Sequence, residues 1–197
     1  MQVDRGEVLR YLRMGGVRPD AAFEERLAAV EKEVVSVVRP TAYWQLVPVV
    51  AHADETYDVG PLLLSSRALW KTLNGCRHAY LFCATLGAGV DALLRTFGHR
   101  SAADLVMAQA VSTALVEAYC DACGARMLAE PAVKGESLRM RFSPGYGDLP
   151  LAAQRPLLTA LDASRRAGIT LTDTMLMMPS KSVSAIIGVG PGEGKES

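Results

Sequence analysis

Two groups of residues in this chain have types and spacings that could do chemistry. The first is the stretch RFSPGYGDLPLAAQ at 141–154. Arg141 offers a planar fork of N–H donors matched to a carboxylate. Pro144-Gly145 suits a tight type II turn with Gly145 at positive φ, and a glycine there lets another molecule approach closely. Backbone groups left free by such a turn can face a ligand. Tyr146 adds a flat face and one hydroxyl, suited to a heteroaromatic ring or a sugar oxygen. The second group is Gln109, Thr113, Glu117 and Asp121. Their four-residue spacing lines them along one helical face. Carboxylates at i and i+4 repel, and no Lys or Arg stands four residues from either one.

Each group also has a plainer reading. The stripe could be the solvent side of an amphipathic helix, although Ala, Val and Cys surround it where Lys and Glu would be usual. The turn could be a structural corner whose arginine makes an ordinary salt bridge. The paired carboxylates call for a cationic ligand or for an arginine from elsewhere in the chain. Taken together, the two groups describe a small zwitterionic ligand, with a carboxylate for Arg141, a cationic part for Glu117 and an aromatic part for Tyr146. S-adenosylmethionine carries all three.

The elements that must position these residues follow from periodicity. A short helix covers about 4–14. A second follows Pro19, with Phe23, Leu27, Val30, Val34 and Val37 on one face, and ends at Pro40. Residues 42–50 read as a strand that Pro48 pushes to an edge or an end. A polar loop with Tyr57, Asp58 and Gly60 precedes a helix at 65–74. A strand at 78–86 leads into a helix over 87–98 that Gly98 closes. Ser101 caps the longest helix, 101–128. A strand at 138–142 feeds the turn, a helix spans 151–166 and stops at Gly168, and the last stretch reads strand, proline break, strand. The expectation is an α+β fold with a twisted, mainly antiparallel sheet surrounded by helices. Residues 1–190 make one domain, with N-terminal helices over 1–40, and 191–197 form a disordered tail.

The 197 residues carry 21 Lys+Arg against 21 Asp+Glu, and half are hydrophobic. This balance, without a basic cluster, argues against nucleic acid as a partner. The most apolar stretch, 105–123, holds two carboxylates, which argues against a membrane span. The N-terminus lacks the apolar core of a signal peptide, so the expected location is the cytoplasm. Cys120 and Cys123 form a lone CxxC inside a helical pattern and read as packing residues. His52, His78 and His99 form no metal pattern. Gly194-Lys195 fails as a phosphate loop because no helix follows. No side chain stands out as a general base or nucleophile.

The run Arg141-Phe142-Ser143-Pro144-Gly145-Tyr146 resembles the R-x-[AS]-P-G-Y motif of the S-adenosylmethionine-binding reactivation domain of cobalamin-dependent methionine synthase. GITLTDTMLMMPSKSVSAIIG resembles the same domain's C-terminal part, and LFCATLGAGVD its short, free-standing members. The resemblance implies a groove beside a twisted antiparallel sheet. There Arg141 would pair with the ligand carboxylate. The backbone about Ser143 would hydrogen-bond the ligand, Gly145 would allow its approach, Tyr146 would contact the nucleoside, and Glu117 would lie near the amino group. It implies an accessory subunit that docks on a cobalamin-holding methyltransferase or corrinoid protein. S-adenosylmethionine and an electron from a flavodoxin-like donor would then restore methylcobalamin there. An alternative is a cap or chaperone for a corrinoid protein that does not use S-adenosylmethionine. Asp148-Leu149-Pro150 and Gln154 stand where the long enzymes carry Cys-Pro followed by His and Lys. Lys181 stands where they have a small residue, and reads either as a solvated loop lysine or as a contact to the corrinoid partner's phosphate.

Overall fold

A computed structural model describes residues 3–16, 18–52 and 56–191. The central strand shows why the fold takes three layers. β4 (His78–Thr85) is apolar along almost its whole length, and its side chains alternate between two separate cores. Tyr80, Phe82 and Ala84 point to one side and Ala79, Leu81 and Cys83 to the other. A strand that is apolar on both faces needs cover on both.

On one side lie α1 (Arg5–Tyr11), α2 (Ala21–Val37), α4 (Ala88–Arg100) and α5 (Ala102–Leu128). On the other lie α3 (Arg67–Leu73), α6 (Gln154–Ala160), α7 (Ala163–Ala167) and the 142–149 turn. The remaining strands are β1 (Thr41–Ala51), β2 (Tyr57–Val59), β3 (Leu62–Leu64), β5 (Glu136–Leu138), β6 (Thr170–Leu171), β7 (Met177–Met178) and β8 (Ser182–Pro191). Five of them join β4 in one six-stranded antiparallel sheet in the order β3-β2-β1-β4-β8-β5. A small β6-β7 hairpin stands apart.

Several boundaries differ from the sequence expectation for identifiable reasons. The polar loop at Tyr57–Gly60 is the β2-β3 hairpin, whose three-residue strands are too short to show periodicity. Pro48 sits where β1 changes partner, pairing His78 of β4 just before Val49 pairs Val59 of β2. Gly98 does not stop α4. The helix runs on to Arg100, and Ser101 both ends it and caps α5 by accepting from the Asp104 N–H at 3.2 Å. The 151–166 helix opens as a 3₁₀ turn, and Asp162 at φ 48° breaks the rest into two helices. The last strand includes Pro191, one residue beyond the expected domain end, and 192–197 lie outside the described residues. Cys120 and Cys123 are buried in the α5 core, and burial pushes the Cys120 thiol up to about 12.

The edge that feeds the functional turn carries an irregularity. The expected 138–142 strand is regular only through Leu138, which pairs Val189, and pairing resumes as a single bridge from Phe142 to Ile186. Four steps on this chain match three on β8, so one extra residue is inserted, which is a β-bulge. Leu138 and Phe142 would share a face on a regular strand. Instead Leu138 packs with the α5 core and Phe142 with the opposite one. Met140, at the bulge, is 82% exposed.

Asp148 fastens the turn to α3. Its carboxylate accepts from the Ser66 hydroxyl, the Arg67 N–H at 2.8 Å and the Ala68 N–H at 3.2 Å. These helix-start donors have no partners inside the helix. Gly147, at φ +57°, lies so close to α3 that a Cβ on it would come within 2.9 Å of Ala68 Cβ.

Two stability predictions follow from these features. Hydrogen bonding from Ser66 and the helix-start N–H groups holds the Asp148 carboxyl below the ordinary aspartate value of 3.8. A depressed carboxyl contributes stability that is present above that value and lost as pH falls through the folded-state value. Asp148→Asn is therefore expected to lower Tm at neutral pH, with the gap to the parent closing below about pH 4. Equal Tm values at pH 7 would remove the anchoring role. In the α5 core, Ser112 Oγ is, among the described residues, the buried side-chain atom without a hydrogen-bond partner. Ser112→Ala should stabilise the fold by about 1 kcal/mol, seen calorimetrically as a higher Tm. A lower Tm would show that the hydroxyl is bonded.

Candidate functional site

The bulge decides where Arg141 goes. Arg139 follows the regular alternation, and its stem lies against Gly188 beside Leu73 of α3. Two residues later Arg141 faces the opposite way, toward α5. Its Nη2 donates to Glu117 Oε2 at 2.7 Å and its Nη1 to Asp121 Oδ1 at 2.6 Å. The arginine from elsewhere that the carboxylate stripe called for is therefore Arg141. One guanidinium bridges two like charges one helical turn apart and removes their mutual repulsion.

The upper half of the stripe is held in the same way. Lys181, in the loop before β8, donates from Nζ to Thr113 Oγ1 at 3.0 Å and to the Gln109 carbonyl at 3.4 Å. Burial lowers its ammonium pKa, partly opposed by the Asp91 carboxylate. Lys181 is thus a tie between the loop and α5 rather than a solvated loop lysine. The stripe is not a plain solvent face either, because a cation from a different segment reaches each half of it.

The turn has the predicted geometry at Pro144-Gly145. Gly145 has φ +89°, and the Tyr146 N–H closes onto the Ser143 carbonyl at 3.1 Å. Its N–H groups, however, are largely spent internally. The Gly145 N–H donates to the Leu149 carbonyl and the Leu149 N–H to the Tyr146 carbonyl. The N–H groups of Gly145 and Tyr146 are therefore not offered to a ligand, contrary to the sequence reading. What the tip presents is surface: Gly145 is exposed, and Tyr146 is 67% exposed with its ring edge-on to Phe142 at 5.3 Å.

The site divides into two grooves, one on each flank of residues 138–141. The groove beside α5, of ≈ 680 Å³, is lined by Glu117, Asp121, Arg141 and Ser143 among others. The groove beside α3, of ≈ 910 Å³, has Tyr146, Phe142 and Lys71 on its walls. Arg141 belongs to both. Glu117, Arg141 and Ser143 are thus brought together, and Tyr146 faces the adjoining groove. The first is mixed in charge and suits a zwitterion, while the second has an aromatic wall and no carboxylate among the described residues of its lining. A separate cavity of ≈ 740 Å³ lies by Tyr57 and Trp70 and shares Asp148 with the turn.

Two residues whose role the sequence did not disclose are structural. Asp148 anchors the turn to α3. Gln154 is buried, donates to the Met175 carbonyl at 2.8 Å and meets Ser184 Oγ at 3.5 Å. Its partners lie 21 and 30 residues away, so nothing local signals them. Among the described residues no group of three or more His, Cys, Asp or Glu is arranged to hold a metal ion, and no helix is long and apolar enough to cross a membrane.

Comparison with known proteins bears on the fold and the family. The fold matches the crystal structure of the MetH reactivation domain bound to AdoHcy, with a TM-score of 0.70 at 17% identity, over 99% of this chain and 76% of that one. No curated protein matches the sequence. Residues 74–193 match the family model of the activation domain of vitamin B12 dependent methionine synthase. That span contains the central strand, α5, the bulged edge, the turn and β8, and the chain belongs to this activation-domain family.

Proposed function

We propose that this protein is an S-adenosylmethionine-binding module that supports reductive remethylation of cob(II)alamin, held by a cobalamin-dependent methionine synthase or a related corrinoid methyltransferase. The observation that carries the proposal is the placement of Arg141 and Glu117 side by side in one groove, with Tyr146 exposed on the adjoining wall. A guanidinium and a carboxylate 2.7 Å apart match the two charges of an amino-acid end group. The Tyr146 ring matches a flat heteroaromatic end. The neighbour of the same fold binds AdoHcy, which supports the same ligand class here.

On this reading S-adenosylmethionine supplies the methyl group, a flavodoxin-like donor supplies the electron, and the cobalamin stays with the partner. This chain's part is binding and orientation. Arg141 fixes the carboxylate end, Glu117 balances the ammonium, Ser143 lies on the groove wall, Gly145 leaves the rim open, and Tyr146 receives the nucleoside.

A second reading is a corrinoid-protein cap that does not use S-adenosylmethionine. One observation favours it, namely that the Arg141 guanidinium is already paired with two carboxylates of its own chain.

Calorimetric titration with S-adenosylmethionine separates the two. Arg141→Ala is expected to weaken binding by about 100-fold, the order of a lost charge-assisted bidentate contact, with far-UV circular dichroism unchanged. Undiminished binding would remove Arg141 from the site. A thermal shift seen with a corrinoid protein but not with S-adenosylmethionine would establish the cap. Adding the protein, S-adenosylmethionine and a reductant to an inactive Co(II) methyltransferase should restore methylcobalamin, and no recovery with the correct partner would end the first reading.

A further inference from the structure

In the α5 groove Arg141 Nη1 is held by a carboxylate of this chain, that of Asp121. We propose that Asp121 is a built-in competitor for Arg141, so that a ligand carboxylate binds by exchange with Asp121 while Glu117 stays in place. This rests on the reading of the groove as a site for an amino-acid-bearing nucleoside.

Three observations carry it. First, the two carboxylates hold the guanidinium through one oxygen each and from different nitrogens, so neither makes the two-pronged contact that a guanidinium and a carboxylate favour. An incoming carboxylate can make that contact. Second, the partners differ in burial. The Asp121 side chain is 72% exposed, Glu117 41% and Arg141 27%. Asp121 is already mostly hydrated in the pair, so it is the partner released at least cost. Third, Asp121 lines the same groove as Arg141, Glu117 and Ser143, so a ligand end group seated there meets the Asp121 carboxylate at Arg141 Nη1. Glu117 then remains between Arg141 and the ligand ammonium, where a carboxylate is needed.

Exchange makes Asp121 a determinant of specificity. A nucleoside with a carboxylate can displace it and gains back most of the ion pair it breaks. A nucleoside without a carboxylate leaves Asp121 where it is and gains nothing from Arg141.

The test compares two probes on the full chain, the zwitterion S-adenosylhomocysteine and 5′-methylthioadenosine, which lacks the amino-acid end. Removing the competing charge in Asp121→Asn should tighten S-adenosylhomocysteine about two- to fivefold, the worth of one half-exposed ion pair, and leave 5′-methylthioadenosine unchanged. Glu117→Gln should weaken S-adenosylhomocysteine. Equal S-adenosylhomocysteine affinities in the parent and Asp121→Asn, or equal changes for both probes, would overturn the exchange while leaving the binding site intact. No S-adenosylhomocysteine binding to the parent or to either variant would overturn the site itself, and the exchange with it.

Discussion

Between Leu138 and Phe142 the edge strand carries one residue more than β8, and the orientation of Arg141 depends on that insertion. In a regular strand Arg139 and Arg141 would share a face. The bulge instead leaves Arg139 against α3 and turns Arg141 to α5, while Phe142 returns to the core behind the turn. A bulge is tolerated here because the edge has no further strand whose pairing it would break. The same edge position opens a groove on either flank, with Arg141 common to both.

Charge compensation then sets the character of the site. Glu117 and Asp121 would strain α5 modestly if left alone. Arg141 answers them, as Lys181 answers the polar groups a turn and two turns earlier. α5 is therefore a polar rail gripped by two cations from chain segments 40 residues apart, and its opposite side is buried among Met107, Val111, Leu115 and Cys123. The charges of the rail are thus compensated from within the chain.

Two polar residues after the turn do local structural work. Asp148 is the cap that ties the turn to α3, and Gln154 is a buried strut that supports the Met175 carbonyl before the β7 segment. The turn's own N–H groups close it internally, so its rigidity comes from the chain itself.

The helical period of 21–37, the apolar run of 78–85 and the spacing of the α5 stripe were legible in the sequence, because each is a local pattern of side chains that a regular element must display. The positive φ at Gly145 was legible too, because a Pro-Gly turn leaves few alternatives. The repulsion between Glu117 and Asp121 showed that a positive group had to come from somewhere. Which group came was decided by tertiary structure. It depends on one inserted residue in the 138–142 edge, and a bulge is defined by pairing to β8, more than 40 residues away in the chain. The short β2-β3 hairpin, the anchoring of Asp148 on α3 and the tie from Lys181 to Thr113 were likewise set by contacts between distant segments. Local spacing fixes which face of an element a residue occupies, and only packing between elements determines what that face meets.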